Sequence, residues 1–203
     1  MQLPVEYIDQ SQCAPTGCES VTAVMLLRYL GVDIDVDTFL DTCLDRRDFE
    51  MRDGVLYGAH PAEYFVGDPR DPDAMGCYAP VLRRALARCL PEGWFAVDET
   101  GTEIDDLVER YLLHEGAPVA LWTTIDLKPH VEGPTWRLFD SDKEFVWRSN
   151  EHCLLLIGTD GDDYICADPW ENHGIVRYDK ALMRRRHRAQ YMQAVGVRRR
   201  GSV

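Results

Sequence analysis

The sequence predicts one domain of mixed helix and strand, in which a helix-rich first half precedes a strand-rich second half. One apolar helical stretch dominates the first half, at Val21–Leu30, and short apolar runs separated by turn residues fill the second. No repeat or linker divides the chain. With 203 residues, of which 45% are hydrophobic, the chain is long enough to bury a core without disulfide or metal staples.

The helices are predicted from their start and stop signals. Thr16-Gly17-Cys18-Glu19 has the pattern of a capping box, and the helix it opens is apolar on almost every side until Gly31 stops it. Such a helix is expected at the centre of the fold. Four further helices are predicted, from Asp35 or Asp37 to about Leu44, from Pro80 to about Leu90, from Thr102 to Gly116 and from Lys180 to about Ala189.

Strands and one long irregular segment account for the rest. Residues Arg46–Tyr78 show no sustained hydrophobic periodicity, and a loop of this length is expected to line a cleft. The predicted strands are Trp94–Val97, Val119–Thr123, Thr135–Phe139, Glu151–Ile157, Tyr164–Ala167, Ile175–Tyr178 and Gln193–Val197, with turns at Asp140-Ser141-Asp142 and Thr159–Asp162. The domain is predicted to span 1–203, with a core of about 4–197 and a basic tail at 198–203.

The charge of the chain excludes one class of partner. The formal net charge is −13 and the pI is near 4.8, so the protein lacks the basic surface that a nucleic-acid binder needs. Seven arginines gather after residue 180, and they are interpreted as a solvated helix face and a frayed tail. No apolar stretch approaches the length of a membrane span.

Seven cysteines, an odd number, show none of the spacings of a structural zinc site. No metal or cofactor is therefore predicted. Most of the cysteines, Cys43 and Cys89 among them, are interpreted as small buried hydrophobes in a reducing compartment. The start of the chain also lacks the pattern of a secretory signal, so a cytoplasmic location is expected, with secretion as the alternative.

Cys18 is the candidate nucleophile. It lies in the first turn of the predicted central helix, where free backbone N–H groups and the helix dipole are expected to lower the thiol pKa. His152 opens one apolar strand and Asp168 closes the next across a short hairpin, so the two can lie side by side. A histidine oriented by a carboxylate is the base that a cysteine nucleophile needs.

Two further residues complete the candidate site. Acyl transfer needs donors for an oxyanion, and the backbone N–H of Cys18 and the side-chain amide of Gln12, six residues earlier, are the candidates. Trp170 follows Asp168 by two residues and is expected to shield the Asp168–His152 hydrogen bond from water.

The order and spacing of these motifs resemble the papain-like cysteine peptidase superfamily. Within it, Pro15–Val21, Asn150–Cys153 and Ala167–Trp170 resemble the C39-like peptidases, bacterial relatives of the domains that cut double-glycine leader peptides from bacteriocin precursors. The resemblance covers about Pro4 to Val197. It implies an α+β papain-like fold, with a helical half packed by its central helix on a twisted antiparallel sheet.

Carried onto this chain, the resemblance makes Cys18 the nucleophile, His152 the base, Asp168 the orienting group and Gln12 the oxyanion donor of a thiol peptidase that acts on peptides or proteins. A carboxylate at Asp168, where papain has an amide, is expected to favour a thiolate–imidazolium pair. Two alternatives stay open. The same residues could transfer the acyl group to an amine or thiol, or the domain could bind peptides without cutting them.

Overall fold

A computed structural model describes residues 1–141 and 143–201. It contains five α-helices in these residues: α1 at Cys18–Tyr29, α2 at Val36–Thr42, α3 at Ala79–Cys89, α4 at Ile104–Leu107 and α5 at Lys180–Ala189. A π-helical segment at Val108–Glu115 continues α4, and two short 3₁₀ turns lie at Gln10–Gln12 and Ile125–Leu127.

Twelve strands are found in the same residues. They are β1 at Arg46–Arg47, β2 at Glu50–Arg52, β3 at Val55–Gly58, β4 at Phe65–Val66, β5 at Trp94–Asp98, β6 at Val119–Thr124, β7 at Val131–Leu138, β8 at Glu144–Ser149, β9 at Glu151–Asp160, β10 at Asp163–Asp168, β11 at Gly174–Asp179 and β12 at Ala194–Arg199.

The main sheet has six strands in the order β11-β10-β9-β6-β12-β5, and every neighbouring pair is antiparallel. A second sheet, β2-β3-β7-β8, pairs β3 with β7 in parallel, and β1 pairs with β4. The mixed architecture of helices and an antiparallel sheet is the predicted α+β class.

Helix α1 is the buried central helix that the sequence predicts, with every residue from Cys18 to Leu27 buried. It packs on β9, where the Thr22 hydroxyl donates to the carbonyl of Cys153 at 3.2 Å. Strand β9 is itself buried from Glu151 to Gly158, as expected of the inner strand of a covered sheet. Burial on both elements fixes the start of α1 against the start of β9.

The predicted capping box does not form. Gly17 precedes α1 without a side-chain cap, and the Thr16 hydroxyl instead donates to the carbonyls of Pro69 and Asp71 at 3.1 and 2.9 Å. The Glu19 carboxylate turns into the protein and accepts from the backbone N–H of Cys77 at 2.6 Å. Tertiary partners therefore replace the local hydrogen bonds that the sequence pattern predicts.

Three other expectations are corrected. Strands β1–β4 lie within the predicted loop Arg46–Tyr78, and strand β8 was not predicted. Arg198 and Arg199 end β12 and do not begin a tail, since Arg198 pairs with the carboxylate of Glu115 at 3.1 Å. Of the predicted tail and turns, Asp142 and residues 202–203 lie outside the described residues.

A disulfide joins Cys43 at the end of α2 to Cys89 at the end of α3. The expectation that these two cysteines are reduced is therefore wrong, although Cys43 is buried as expected and Cys89 is half-buried. Cys18, Cys77, Cys153 and Cys166 are free and buried, and Cys13 is free and half-buried. Among the described residues, none of the helices is long and apolar enough to cross a membrane.

Candidate active site

Cys18 begins α1 and points its sulfur at the start of β9. The backbone N–H of Cys153 donates to Cys18 Sγ at 3.3 Å, and the thiol donates to Glu19 Oε2 at 3.4 Å. The side chain is only 6% exposed. The central helix and the central strand of the sheet therefore hold the sulfur from two sides.

His152 and Asp168 come together as the hairpin argument predicts. His152 Nε2 lies 2.6 Å from Asp168 Oδ1, and both side chains are buried. A register shift between β9 and β10 occurs at Ile165 and Cys166, just before the strand reaches Asp168. Because β9 and β10 are neighbours in the sheet, the partnership rests on rigid elements.

Asp168 is held as a carboxylate by three donors. Besides His152, the backbone N–H of Trp170 donates to Oδ1 at 2.9 Å and the Tyr178 hydroxyl donates to Oδ2 at 2.6 Å. Burial alone would raise the pKa of Asp168, but the charge of His152 and these hydrogen bonds together hold that pKa well below its usual range. The histidine therefore has an ionised partner near neutral pH.

The hydrogen bond to Asp168 uses only one of the two imidazole nitrogens of His152. Nε2 is hydrogen-bonded to Asp168, whereas Nδ1 is buried and has no hydrogen-bond partner among the described residues. The Trp170 ring meets the imidazole edge to face, with centroids 5.8 Å apart and an interplanar angle of 81°. Trp170 thus covers the His152–Asp168 pair, as predicted, and leaves Nδ1 able to take a proton.

Cys18 and His152 open into one cavity of about 250 Å³. Its lining comes from five parts of the chain: Gln10, Pro15, Thr16, Cys18, Pro72, Met75, Ile125, Glu151, His152 and Trp170. Pro72 and Met75 belong to the long segment that was predicted to line a cleft. The cavity is large enough for a few atoms of a substrate backbone beside the sulfur.

Gln12 does not reach this cavity. It is exposed, and its amide donates to the Ser11 hydroxyl at 3.0 Å. Gln10 lines the cavity instead, buried, with Nε2 donating to the carbonyl of Pro15 at 2.7 Å. In a 3₁₀ turn, residues two apart point to different sides, so the expected oxyanion donor at Gln12 is corrected to a candidate at Gln10.

The loop after Asp168 holds this 3₁₀ turn in place. The backbone N–H of Gln10 donates to the carbonyl of Pro169 at 2.8 Å, and Asp9 accepts from the backbone N–H of Asn172 at 3.1 Å. The orientation of Gln10 is therefore set by contacts far along the chain, and the spacing from Cys18 alone could not reveal it.

The predicted lowering of the thiol pKa is also wrong. Burial raises the pKa of Cys18 well above its ordinary value, and the negative charges of Glu19 and Glu151 raise it further. Burial and these two carboxylates outweigh the effect of the helix dipole on the thiol. At rest the site therefore holds a protonated thiol.

Glu19 and Glu151 form a buried acidic pair that the sequence reasoning missed as part of the site. Burial raises the pKa of Glu19 to about 7, and burial and the charge of Glu19 raise that of Glu151. The ligand atoms of Cys18, Glu19 and Glu151 all lie within 4.8 Å of one another. The sequence contains one sign of this pair, because Glu19 directly follows Cys18 and Glu151 directly precedes His152.

A larger cavity, of about 420 Å³, lies among aromatic side chains that include His60, Tyr78, Phe145 and Tyr191. Neither Cys18 nor His152 lines it. Size alone therefore does not identify the reactive site, and the smaller cavity carries the nucleophile and base.

Comparison with family models places most of the chain in one family. Residues 2–196 match the Peptidase_C39 like family. An uncharacterized protein of Bacillus subtilis strain 168, YvpB, is 26% identical over 155 residues, which are 76% of this chain and 58% of the relative. The chain therefore spans less than two thirds of that curated relative.

Two solved structures share the fold. A candidate C39-like peptidase from Bacillus anthracis superposes with a TM-score of 0.81 at 27% identity, covering 98% of this chain and 95% of that chain. A double glycine motif protease from an AMS/PCAT transporter, in complex with its leader peptide, gives a TM-score of 0.56 at 15% identity, covering 98% and 94%. The second likeness concerns the fold alone.

Proposed function

We propose that this chain, which belongs to the Peptidase_C39 like family, is a cysteine peptidase that cuts peptide bonds with Cys18, His152 and Asp168. One observation carries the proposal. His152 Nε2 is 2.6 Å from Asp168, its Nδ1 is buried without a partner among the described residues, and the same cavity contains Cys18. This is the division of roles that a nucleophile, a base and an orienting group require.

The reaction begins from the protonated thiol. As the substrate enters, the Cys18 proton passes to His152 Nδ1, and the sulfur attacks the scissile carbonyl carbon. The carbon–nitrogen bond then breaks, and the same proton goes to the leaving amine. Water, deprotonated by His152 Nδ1, then attacks the acyl carbon, the carbon–sulfur bond breaks, and the proton returns from His152 to the Cys18 thiolate. Asp168 stabilises the imidazolium at Nε2 in both halves of the reaction.

The oxyanion is held by the backbone N–H of Cys18 and by Gln10. The amide nitrogen of Gln10 carries two hydrogens, and one of them is used by the carbonyl of Pro15 at 2.7 Å. That bond fixes the amide, and we assign the second hydrogen to the oxyanion because Gln10 lines the cavity that contains Cys18. The role that the sequence gave to Gln12 therefore passes to Gln10.

The substrate class we propose is an extended peptide or protein segment, and the catalytic unit is the whole of residues 1–203. The chain's match to a structure that holds a leader peptide supports the fold only. The Cys43–Cys89 disulfide favours an oxidising compartment over the cytoplasm expected from the sequence, because thiols stay reduced in the cytosol of most organisms.

A panel of fluorogenic peptides tests the proposal, with double-glycine sequences as one set. We expect turnover by the native protein, loss of turnover in Cys18→Ala and His152→Ala, and full turnover in the matched control Cys13→Ala, since Cys13 does not line the cavity. Turnover that survives in Cys18→Ala overturns the assignment.

Two outcomes of the same panel favour the alternatives. Products that gain the mass of an added amine or thiol, in place of water, show acyl transfer. Tight peptide binding without any product shows a binding module.

A further inference from the structure

The mechanism leaves two buried carboxyl groups beside the nucleophile without a role. Glu19 is fully buried, and Glu151 is 8% exposed. Burying one carboxylate is costly unless a positive charge or hydrogen bonds compensate it, and burying two together costs more. His152 is already committed to Asp168 through Nε2.

Part of this acidic pair lacks hydrogen bonds. Oε1 of Glu151 is buried and has no partner among the described residues, and the same is true of Nδ1 of the neighbouring His152. Both residues line the cavity that contains Cys18. Buried polar atoms without partners are rare in folded proteins, and one explanation is a missing ion.

Two of the three groups already have the spacing of zinc ligands. With Zn–S near 2.3 Å and Zn–O near 2.1 Å, tetrahedral geometry separates a sulfur and an oxygen ligand by about 3.6 Å. Cys18 Sγ and Glu19 Oε2 are 3.4 Å apart, and the whole set of Cys18, Glu19 and Glu151 lies within 4.8 Å. A small rotation of Glu151 would complete three ligands and leave a fourth position open to the cavity.

Gly76 keeps the space beside these ligands free. A Cβ at this position would come within 2.6 Å of Glu19 Oε1 and 3.3 Å of Glu151 Oε2. The backbone N–H of the next residue, Cys77, donates to Glu19 Oε1 and orients its carboxylate so that Oε2 faces the sulfur. Orientation of a ligating carboxylate by a hydrogen bond is a common feature of metal sites.

We propose that Cys18, Glu19 and Glu151 bind one thiophilic divalent cation, of which Zn²⁺ is the best example, and that this ion reversibly blocks the nucleophile. Binding breaks the S–H bond of Cys18, forms a metal–sulfur bond and releases the proton to solvent. A thiolate ligand selects Zn²⁺ over Mg²⁺ and Ca²⁺, which prefer oxygen. The inhibition rests on the proposed peptidase function, whereas metal binding itself does not.

Cobalt titration of the full chain tests the site without an activity assay. Protein treated with a chelator and then dialysed is titrated with Co²⁺, whose bond to a thiolate gives a charge-transfer band in the near ultraviolet, and Zn²⁺ is added as a competitor. We expect one Co²⁺ per chain, the band, and its loss when Zn²⁺ is added.

Matched variants locate the ligands. Cys18→Ser should remove the band, and Glu151→Gln should raise the Co²⁺ Kd about tenfold or more, because even indirect partners of metal ligands change affinity by about 10 to 100-fold. Cys13→Ala and Glu109→Gln should change neither, since Cys13 lies outside the cavity and Glu109 is an exposed acid. No band, or an unchanged Kd in Glu151→Gln, overturns the proposal.

A second measurement covers the case in which Glu151→Gln does not fold. In the native protein, Zn²⁺ should slow the alkylation of Cys18 by iodoacetamide at least about tenfold and leave Cys13 unaffected, as read by peptide mass spectrometry. Equal labelling of Cys18 with and without Zn²⁺ overturns the site. Protection of Cys18 in a protein that cuts no peptide supports the metal site and refutes the peptidase function, so the two failures are distinguishable.

Discussion

Replacing Asp168 with asparagine isolates the charge of the carboxylate from its shape. Oδ1 accepts from His152 and from the backbone N–H of Trp170, and Oδ2 accepts from the Tyr178 hydroxyl. An asparagine keeps an acceptor for His152 and Trp170, and the Tyr178 hydroxyl can rotate to accept from the new amide. The variant should therefore fold with the imidazole still in place.

The magnitude follows from the geometry. With Nε2 and Oδ1 2.6 Å apart, the centres of the imidazolium and carboxylate charges are about 4 Å apart, where the attraction is about 4 kcal/mol at an effective dielectric constant of 20. At 1.36 kcal/mol per factor of ten, Asp168→Asn should lower kcat/KM up to about a thousandfold. Tyr178→Phe keeps the carboxylate and removes one donor, so a loss of about tenfold or less is expected.

The assay is kcat/KM on the best fluorogenic peptide of the panel, with near-ultraviolet circular dichroism to check the packing of each variant. A value for Asp168→Asn within about threefold of the native enzyme would show that the charge does not stabilise the imidazolium. The electrostatic part of the mechanism would then be refuted, and Asp168 would only orient the ring.

Three other predictions concern the oxyanion donor, the disulfide and the pH dependence of stability. Gln10→Ala should lower kcat about 10² to 10³-fold while Gln12→Ala stays within twofold, and equal effects would contradict the assignment of the oxyanion donor. Replacing Cys43 and Cys89 by serine should lower the free energy of unfolding in urea by about 4 kcal/mol, because the disulfide closes a separation of 46 residues; no change would mean that the bond is absent in solution. The pKa of Asp168 is lower in the folded protein than its unfolded value of about 3.9, so ionised Asp168 stabilises the fold above that pH, and this stabilisation is lost as the pH falls toward the folded-state pKa. The difference in the free energy of unfolding between the native protein and Asp168→Asn should therefore become smaller below about pH 4. A difference that does not change with pH would refute this.

Much of the fold follows from local pattern. Helix α1 is buried because its residues are apolar all round, and α5 has its predicted bounds, Lys180–Ala189. Strand β8 was missed because its residues Glu144–Ser149 mix charged and aromatic side chains, and only pairing with β7 makes them a strand. β8 is the second arm of a hairpin with β7, and a strand that depends on packing against its neighbour leaves a weak signal in one sequence.

Part of the candidate site could also be predicted from the sequence, and part could not. The hairpin between β9 and β10 was sufficient to predict that His152 and Asp168 lie side by side. The placement of Cys18 with His152 was expected from the resemblance to the C39-like peptidases, and the two residues line one cavity. The choice between Gln10 and Gln12 depends on a turn that is anchored to the loop after Asp168, which no local pattern records.

The electrostatics of the site were predicted least well. The direction of the Cys18 pKa shift depends on burial and on the charges of Glu19 and Glu151. Glu19 is adjacent to Cys18 in sequence, whereas only the fold brings Glu151 to the sulfur. A pKa depends on every charge within a few ångströms and on burial, and neither is visible before the chain is folded.

The central claim is that Cys18 forms a covalent intermediate, and the mass of the acid-quenched protein tests it most directly. The native protein is mixed with a reactive peptide ester, quenched within the first turnover and digested for peptide mapping. We expect the peptide containing Cys18 to gain the mass of the acyl group, His152→Ala to accumulate it more slowly, and Cys13 never to be labelled. Ester turnover with no acyl group on Cys18, at the same rate in Cys18→Ala, would contradict the account.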